Sequence, residues 1–522
     1  MVKNPIIPAD FPDPDVIRVG DTYYMASTTM FLMPGGDILE SKDLVHWDIA
    51  AHVFDTLGDD DEYELKNGKH AYARGMWAPS LRYDNGTFYL VFACNERPNS
   101  LLFTATDAEG PWKMQEMDGF FYDSSLFFDD DGKVYIVHGN TIVKITELDK
   151  NTWGPKEGGL QRILIQDEPG QPLGFEGSHL YKLNGKYYLF TCHMPKKEEG
   201  RKTECCFISD TLEGEFVGKT IINDPMGYKR KALQVAQGGV VDDPAGNLYM
   251  FMFQDRGAVG RLPMIFPMNY DEEGYPVPAT SGVVPQMPSD DDTPLNEWGR
   301  GHFFDDEAFD EENLSVLLDK KKWWQISHNI DEENICLVKE GGRSALRIKT
   351  GAVTSNLLKA RNTLTQRCVE TVCTGEITVD GKALNDGDYA GISAYNAHYG
   401  AIALSKADGK LSLVKIEADA DNDSVGGDKD FYERDPKITT ICELPDGVSS
   451  VRLKVTTDFN DAPDFCTYSY DAGNGYVAVD GKHNLYFKLD LFIGARFGLF
   501  AYSTRECGGH ADFLDFKISA KD

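Results

Sequence analysis

The sequence predicts an all-β protein built as a five-bladed β-propeller followed by a β-sandwich. Three observations carry the prediction: a turn-plus-aromatic phrase recurs five times before residue 290, that phrase stops abruptly, and period-two alternation resumes after residue 300. The repeats read GDTYYMAS at 20–27, NGTFYLVF at 85–92, DGKVYIVH at 131–138, NGKYYLFT at 184–191 and AGNLYMFM at 245–252. Each is a turn signal followed by an aromatic or apolar run, the pattern of the second strand of a hairpin. Their central tyrosines, Tyr24, Tyr89, Tyr135, Tyr188 and Tyr249, lie 65, 46, 53 and 61 residues apart, a spacing that suits one four-stranded blade per repeat.

The strand before each turn carries the chemistry. Twelve residues before the marker tyrosine stand Trp77, Asp123, Glu176 and Gln237 in the last four repeats, and eleven before it stands Asp13 in the first. If the first strand of every blade lines the central axis, these five residues ring one end of it. Asp13, Asp123 and Glu176 then converge from three blades, while Pro12 and Pro14 fix the backbone around Asp13 and remove donors a strand interior would need. Taken singly, an Asp before a strand is a turn or solvent residue, and Asp10, Asp15, Asp129, Asp130 and Asp131 are read that way.

The rest of the propeller half brings further candidates. Trp77 shares the axial phase and offers a flat apolar face to a ligand, with structural core as the alternative. Arg261, in GRLP, reads as a rim salt bridge on its own. His138, His179 and His193 are spaced so that a zinc site could be imagined, but their carboxylate neighbours already have a coherent use.

The ordered set FPDPDVIRVGDTYY, SKDLVHW, WAPSLRY, DSSLFFDDDGKVY, FEGSHLYKLNGKYY, QGGVVDDPAGNLY and QDRGAVGRLPM closely resembles glycoside hydrolase family 43 across nearly all of residues 1–290. Within that family it resembles β-xylosidases and α-L-arabinofuranosidases with a C-terminal β-sandwich. The resemblance implies that Asp13 is the general base, Glu176 the general acid, and Asp123 the residue that orients the acid and modulates its pKa. It also implies that Phe31, Trp77, His179 and Arg261 form the substrate-binding set. No cofactor is implied for catalysis; a structural calcium is compatible with the family, and no metal ligand is assigned.

From Gly274 to Trp298 proline, serine and aspartate crowd a stretch that reads as a linker, placing a catalytic domain at 1–290 and an accessory one at 291–522. Beyond it ALRIKT, GEITVD, KLSLVKI, VRLKVTTD and ARFGLFAYS alternate in period two, with lengths that favour a sandwich over more blades. LLKARNTLTQR, NDGDYAGISAYNAHYG and FAYSTRECGGHADFLDFKIS resemble the family's jelly-roll-like (concanavalin A-like) accessory domain. The resemblance implies that a loop of this domain closes one side of the pocket, with Cys507–His510 the candidate, and hence exo action. Trp323 and Trp324 are either packed between the domains or one of them serves a separate carbohydrate-binding platform.

Composition bounds the partners. A formal net charge of -32 argues against nucleic acid and anionic membranes, and no apolar run reaches transmembrane length. Ten cysteines without a CxxC array, and an N-terminus MVKNPIIPADF without an apolar core, point to a cytoplasmic enzyme. The expected function is inverting exo-hydrolysis of terminal β-1,4-linked D-xylose from xylo-oligosaccharides. The alternatives are an α-L-arabinofuranosidase, or an enzyme with both activities, and a non-catalytic carbohydrate-binding propeller. Oligomeric state is not encoded in any of these features.

Overall fold

Asn-Gly pairs begin the fold. Asn85 and Gly86 both have positive φ, 47° and 82°, so Asp84 pairs directly with Thr87 across a two-residue loop; Asn184 (52°) and Gly185 (78°) do the same for Leu183 and Lys186. Such loops match the right-handed twist of the flanking strands and set the register of the blade that follows. The structure is a computed structural model and describes residues 2–198, 200, 202–223, 234–279, 283–284, 301–419, 427, 430–460 and 462–521.

Among the described residues five sheets form the propeller, antiparallel but for one short strand added to the first. Their innermost strands are Asp15–Val19, Ser80–Asp84, Ser125–Phe128, Leu173–Leu183 and Val235–Asp242. In each sheet the strand bearing the marker tyrosine lies second, as the repeat predicts: Thr22–Ser27, Thr87–Phe92, Val134–His138, Lys186–Met194 and Leu248–Asp255. The fifth blade ends in Pro276–Pro278, so the segment expected to be linker from Gly274 begins as the outer strand of a blade. Most of the remaining linker lies outside the described residues. Val2–Lys3 pairs with Val283–Val284, joining the chain's start to the stretch just after the last blade.

Among the described residues the sandwich consists of an eight-stranded and a seven-stranded sheet. The larger one crosses the expected domain boundary: its edge strand, Leu32–Met33, comes from the first blade and pairs with Gln325–Ser327. In return, Gly301–His302 adds a parallel strand to the first blade beside Trp47–Phe54. One hydrophobic core likewise runs through both halves, uniting Phe11, Trp47, Phe251 and Val259 with Phe309, Trp324, Leu346 and Phe516. A continuous apolar interface of this kind holds two domains in a fixed relation, unlike the wetter contacts that permit domain motion.

Trp323 and Trp324 are both buried, and Trp324 stacks edge-on against Phe516 with ring centroids 5.1 Å apart. Their packed role is therefore the observed one. Among the described residues no helix is long and apolar enough to cross a membrane.

Candidate active site

The axial ring is built by a repeated break in strand geometry. Asp13, Asp123 and Gln237 have φ of 52°, 45° and 56°, and Gly177, next to Glu176, has 63°. Left-handed backbone is uncommon away from glycine and is best tolerated by Asp and Asn. In the fourth and fifth blades the same position shifts the ladder register, between Glu176 and His179 and between Ala236 and Gly238. A bulge re-aims the side chain at the strand's start, which turns these residues out of the regular alternation. A Cβ on Gly177 would lie 2.7 Å from Gln237 Cγ, so glycine is what lets the fourth and fifth blades approach there.

Asp13 is buried and fully engaged. Thr28 Oγ1 donates to Oδ2 at 2.7 Å, and Arg261 Nη1 donates to Oδ1 at 2.9 Å. Behind it, Pro12 accepts from Ser27 Oγ at 2.8 Å and from the Thr28 amide at 3.2 Å, which ties the Pro-Asp-Pro bend to the second strand of its own blade. Arg261 is only 3% exposed, and its guanidinium lies 4.3 Å from the ring centre of Phe492 and 5.4 Å from that of Phe253.

Asp123 accepts from the Gly177 amide at 3.2 Å, while its carbonyl accepts from Ser178 N at 3.3 Å. Burial, then the nearby charges of Glu176 and Asp13, push its carboxyl well above the usual range. Glu176 accepts a hydrogen bond from Asn140 Nδ2. Burial pushes it up to about 7, with Asp13 adding to the rise while Asn140 and Lys202 oppose it. The charge of Asp13 acts on both Glu176 and Asp123, and that of Glu176 acts on Asp123, so the three occupy one electrostatic site. Asp13 adds to the lift of Glu176, and Glu176 to that of Asp123, the neighbour expected to raise the acid.

Trp77, Tyr122, Glu176 and Phe492 retain partial exposure at this end of the axis. Trp77 lies 5.5 Å from Phe492 and 6.1 Å from Tyr122, centroid to centroid, forming a wall of flat apolar faces beside the acids. Its buried Nε1 has no hydrogen-bond partner among the described residues.

Phe31 and His179 sit elsewhere than expected. Phe31 has 0% exposure and packs against Tyr72 and His328 at 4.7 and 5.0 Å, without surface to offer a sugar. His179 is buried with Nδ1 3.4 Å from Asp15 Oδ1. Asp15 also binds Arg82 Nη1 at 2.6 Å and the Leu81 amide at 2.8 Å, an axial ion-pair cluster joining blades one, two and four. Asp15 is accordingly no solvent-facing turn residue; Arg82 and His179 pull its carboxyl below the usual range against the opposing effect of burial. His193 pairs with Asp167 at 2.8 Å and His138 contacts Thr146 at 3.3 Å, so the histidines have separate partners. Among the described residues no group of three or more His, Cys, Asp or Glu is arranged to hold a metal ion.

The sandwich reaches the acids through a different loop from the one expected. Cys507–His510 stays on its own domain, with Gly508 N donating to Thr350 O at 3.0 Å and Cys507 exposed. Phe492 makes the contact instead, its carbonyl 3.4 Å from Arg261 Nη2 and its ring over the guanidinium. Nothing in the strand alternation around LDLFIGARFG marks Phe492; its positive φ of 60° is visible only in three dimensions. Asn140 and Thr28 were missed for a similar reason, since both lie outside the axial phase.

A propeller whose axis gathers three acids in unlike environments beside aromatic faces defines the class: the chain is a glycoside hydrolase. Residues 2–276 match the model of glycosyl hydrolases family 43, more than half of the chain, and the protein belongs to that family. Residues 307–519 match the beta xylosidase C-terminal concanavalin A-like domain. The chain is similar to a beta-xylosidase of Formosa agariphila, 24% identical, over 98% of this chain and 88% of that protein. It is also 27% identical to xylosidase/arabinosidase 43B of Humicola insolens, over 80% and 79% of the two chains. The solved structure of a bifunctional GH43-CE of Bacteroides eggerthii superimposes with a TM-score of 0.86 at 33% identity, covering 100% of this chain and 64% of that longer one.

Proposed function

We propose that the protein is an inverting exo-glycosidase that releases D-xylose from the ends of β-1,4-xylo-oligosaccharides. The observation that carries this reading is the unlike environment of two acids on non-adjacent blades. Asp13 is held by a guanidinium and a hydroxyl, whereas Glu176 is held by an amide and pushed up to about 7. An inverting enzyme needs such a division, with the two carboxyls about 6.5–9.5 Å apart so that water fits on the far side of the sugar.

Asp13, as carboxylate, takes a proton from water as that water attacks the anomeric carbon. Glu176, as acid, gives its proton to the departing glycosidic oxygen, and the product leaves with inverted configuration. Asp123, tied through Gly177 to the segment that bears Glu176, orients the acid. Arg261 steers the base, with Nη1 on Asp13 and Nη2 on the Phe492 carbonyl. Phe492 and Trp77 limit the length of chain that can pass, which favours a terminal sugar.

An α-L-arabinofuranosidase, alone or alongside xylosidase activity, is the second reading; the name of the Humicola relative carries both sugars. The ten unpaired cysteines fit a reducing compartment, hence a cytoplasmic enzyme acting on short oligomers. Paired assays with aryl β-xyloside and aryl α-L-arabinofuranoside decide the sugar, and NMR of the first-formed anomer decides the stereochemistry. Retention of configuration overturns the base role of Asp13, and faster turnover of the arabinoside replaces the first reading with the second.

A further inference from the structure

Asp10 has a structural position that its place in a proline-rich bend does not suggest. Its carboxylate is buried, and its two oxygens accept from the backbones of two different domains. Oδ1 receives the Arg261 amide at 2.7 Å, and Oδ2 receives the Gly494 amide at 2.7 Å. Arg367, from the sandwich, donates through Nε to the Asp10 carbonyl at 2.8 Å.

The surroundings leave no room for anything else. A Cβ on Gly260 would lie 2.3 Å from Asp10 Oδ1; one on Gly494 would lie 2.3 Å from Val259 O and 2.7 Å from Asp10 Cβ. Either contact is far inside van der Waals range, so Gly260 is required by the approach of this side chain, and Gly494 by that of Val259 O and Asp10 together. Flanking bonds reinforce the junction, with Phe11 N donating to Arg261 O at 3.1 Å and Ala495 N to Ala258 O at 2.8 Å. Burial pushes the Asp10 carboxyl up, while Arg261, the two amides and Arg367 oppose the rise.

The two backbones joined at Asp10 end in side chains that meet again at the catalytic acids. Arg261 extends its guanidinium to Asp13, and two residues before Gly494 stands Phe492, which covers that guanidinium. We propose that Asp10 is a positioning residue for the reaction: its carboxylate locks the Arg261 strand and the Phe492 loop in one register, so that base and aromatic wall are assembled together. This rests on the reading of Asp13 as the base. Asp10 touches no substrate and acts only through Arg261 and Phe492. It makes the docked sandwich part of the base's machinery, beyond its use as a wall.

The test is Asp10→Asn in the full-length protein, which keeps size but turns an amide NH2 toward one of the two N–H donors. Kinetics are measured with aryl glycosides of good and poor leaving groups, and folding is checked by near-UV circular dichroism and a thermal melt. The expected result is a folded protein whose kcat falls about tenfold or more. The loss should be equal on both leaving groups, because water activation is affected and proton donation is not, and KM should rise. In an Arg261→Ala background the same change should cost little more, the non-additivity of residues acting as a unit. Wild-type kcat and KM in a folded Asp10→Asn protein, a fall in melting temperature alone, or strictly additive losses overturn the proposal.

If the Asn variant does not fold, hydrogen exchange on the wild-type protein decides. The Arg261 and Gly494 amides should open with one common dependence on denaturant, and independent opening overturns the lock. Asp13→Asn, run in parallel, separates the two ideas. An active Asp13→Asn enzyme sinks the base assignment itself, while an inactive one beside an unaffected Asp10→Asn sinks only the positioning role.

Discussion

The propeller and the sandwich contribute to the same site in opposite ways. The propeller presents Asp13, Asp123 and Glu176 at one repeated backbone position, where a left-handed residue or an adjacent left-handed glycine turns the chain toward the axis. The sandwich presents Phe492 from a loop with no periodic counterpart, held by a bond between Gly494 and Asp10 that spans 484 positions of sequence. The comparison teaches that a repeat multiplies one local geometry, whereas a docked domain adds a side chain whose place depends on everything between the two contacts.

The largest effect should come from the propeller side. Asp13→Asn should lower kcat by about 10²–10⁴, the usual range for a lost general acid or base, on every substrate regardless of leaving group. An Asn variant with normal turnover would break the comparison at its strongest point. Glu176→Ala should lose a similar amount on a poor leaving group and recover much of it on a very good one, because the proton is then less needed.

Glu176 also predicts the pH response. A general acid must be protonated, so kcat/KM should fall as pH rises through about 7, and Glu176→Gln should abolish that limb while leaving a slow residual rate. The linkage has the same sign. The folded carboxyl sits above its ordinary value of 4.5, so the native state binds more protons between about 4.5 and 7, and stability falls as pH rises through that window. Thermal melts of Glu176→Gln should show less of this fall than wild type.

On the sandwich side the effects should be smaller. Phe492→Ala removes the ring over Arg261 and beside Trp77, and should raise KM about tenfold with a lesser change in kcat. A larger loss in kcat than in KM would move Phe492 from wall to base support. Cys507→Ser should leave kcat and KM unchanged, because Cys507 is exposed and its segment is anchored at Thr350. Any kinetic change there would show that the terminal loop reaches the pocket after all.

Much of the fold was visible along the chain because hairpin turns announce themselves. The Asn-Gly pairs and marker tyrosines located the second strand of each blade, and the acids followed by counting back. Asp10 and Asp15 escaped that counting. Both flank the same prolines as Asp13, and in sequence all three look like turn residues; their different partners, two amides, an Arg-His pair and an Arg-Thr pair, come from remote segments. His179 shows the converse. It lies three residues from Glu176, yet the bulge between them sends it to Asp15. Pro276–Pro278 was hidden by its composition, since proline is admissible on the outer strand of a blade.

The class of fold, the number of blades and the shared axial position of Asp13, Asp123 and Glu176 can be read along the chain, because strand alternation, turn chemistry and repeat phase are local properties that survive without knowledge of partners. Which loop of the sandwich meets the acids, the full burial of Phe31 and the junction that Asp10 makes between the two domains emerge only on folding. Those outcomes depend on which distant backbone groups remain unpaired and on where a glycine leaves space, and neither quantity exists until the chain has folded.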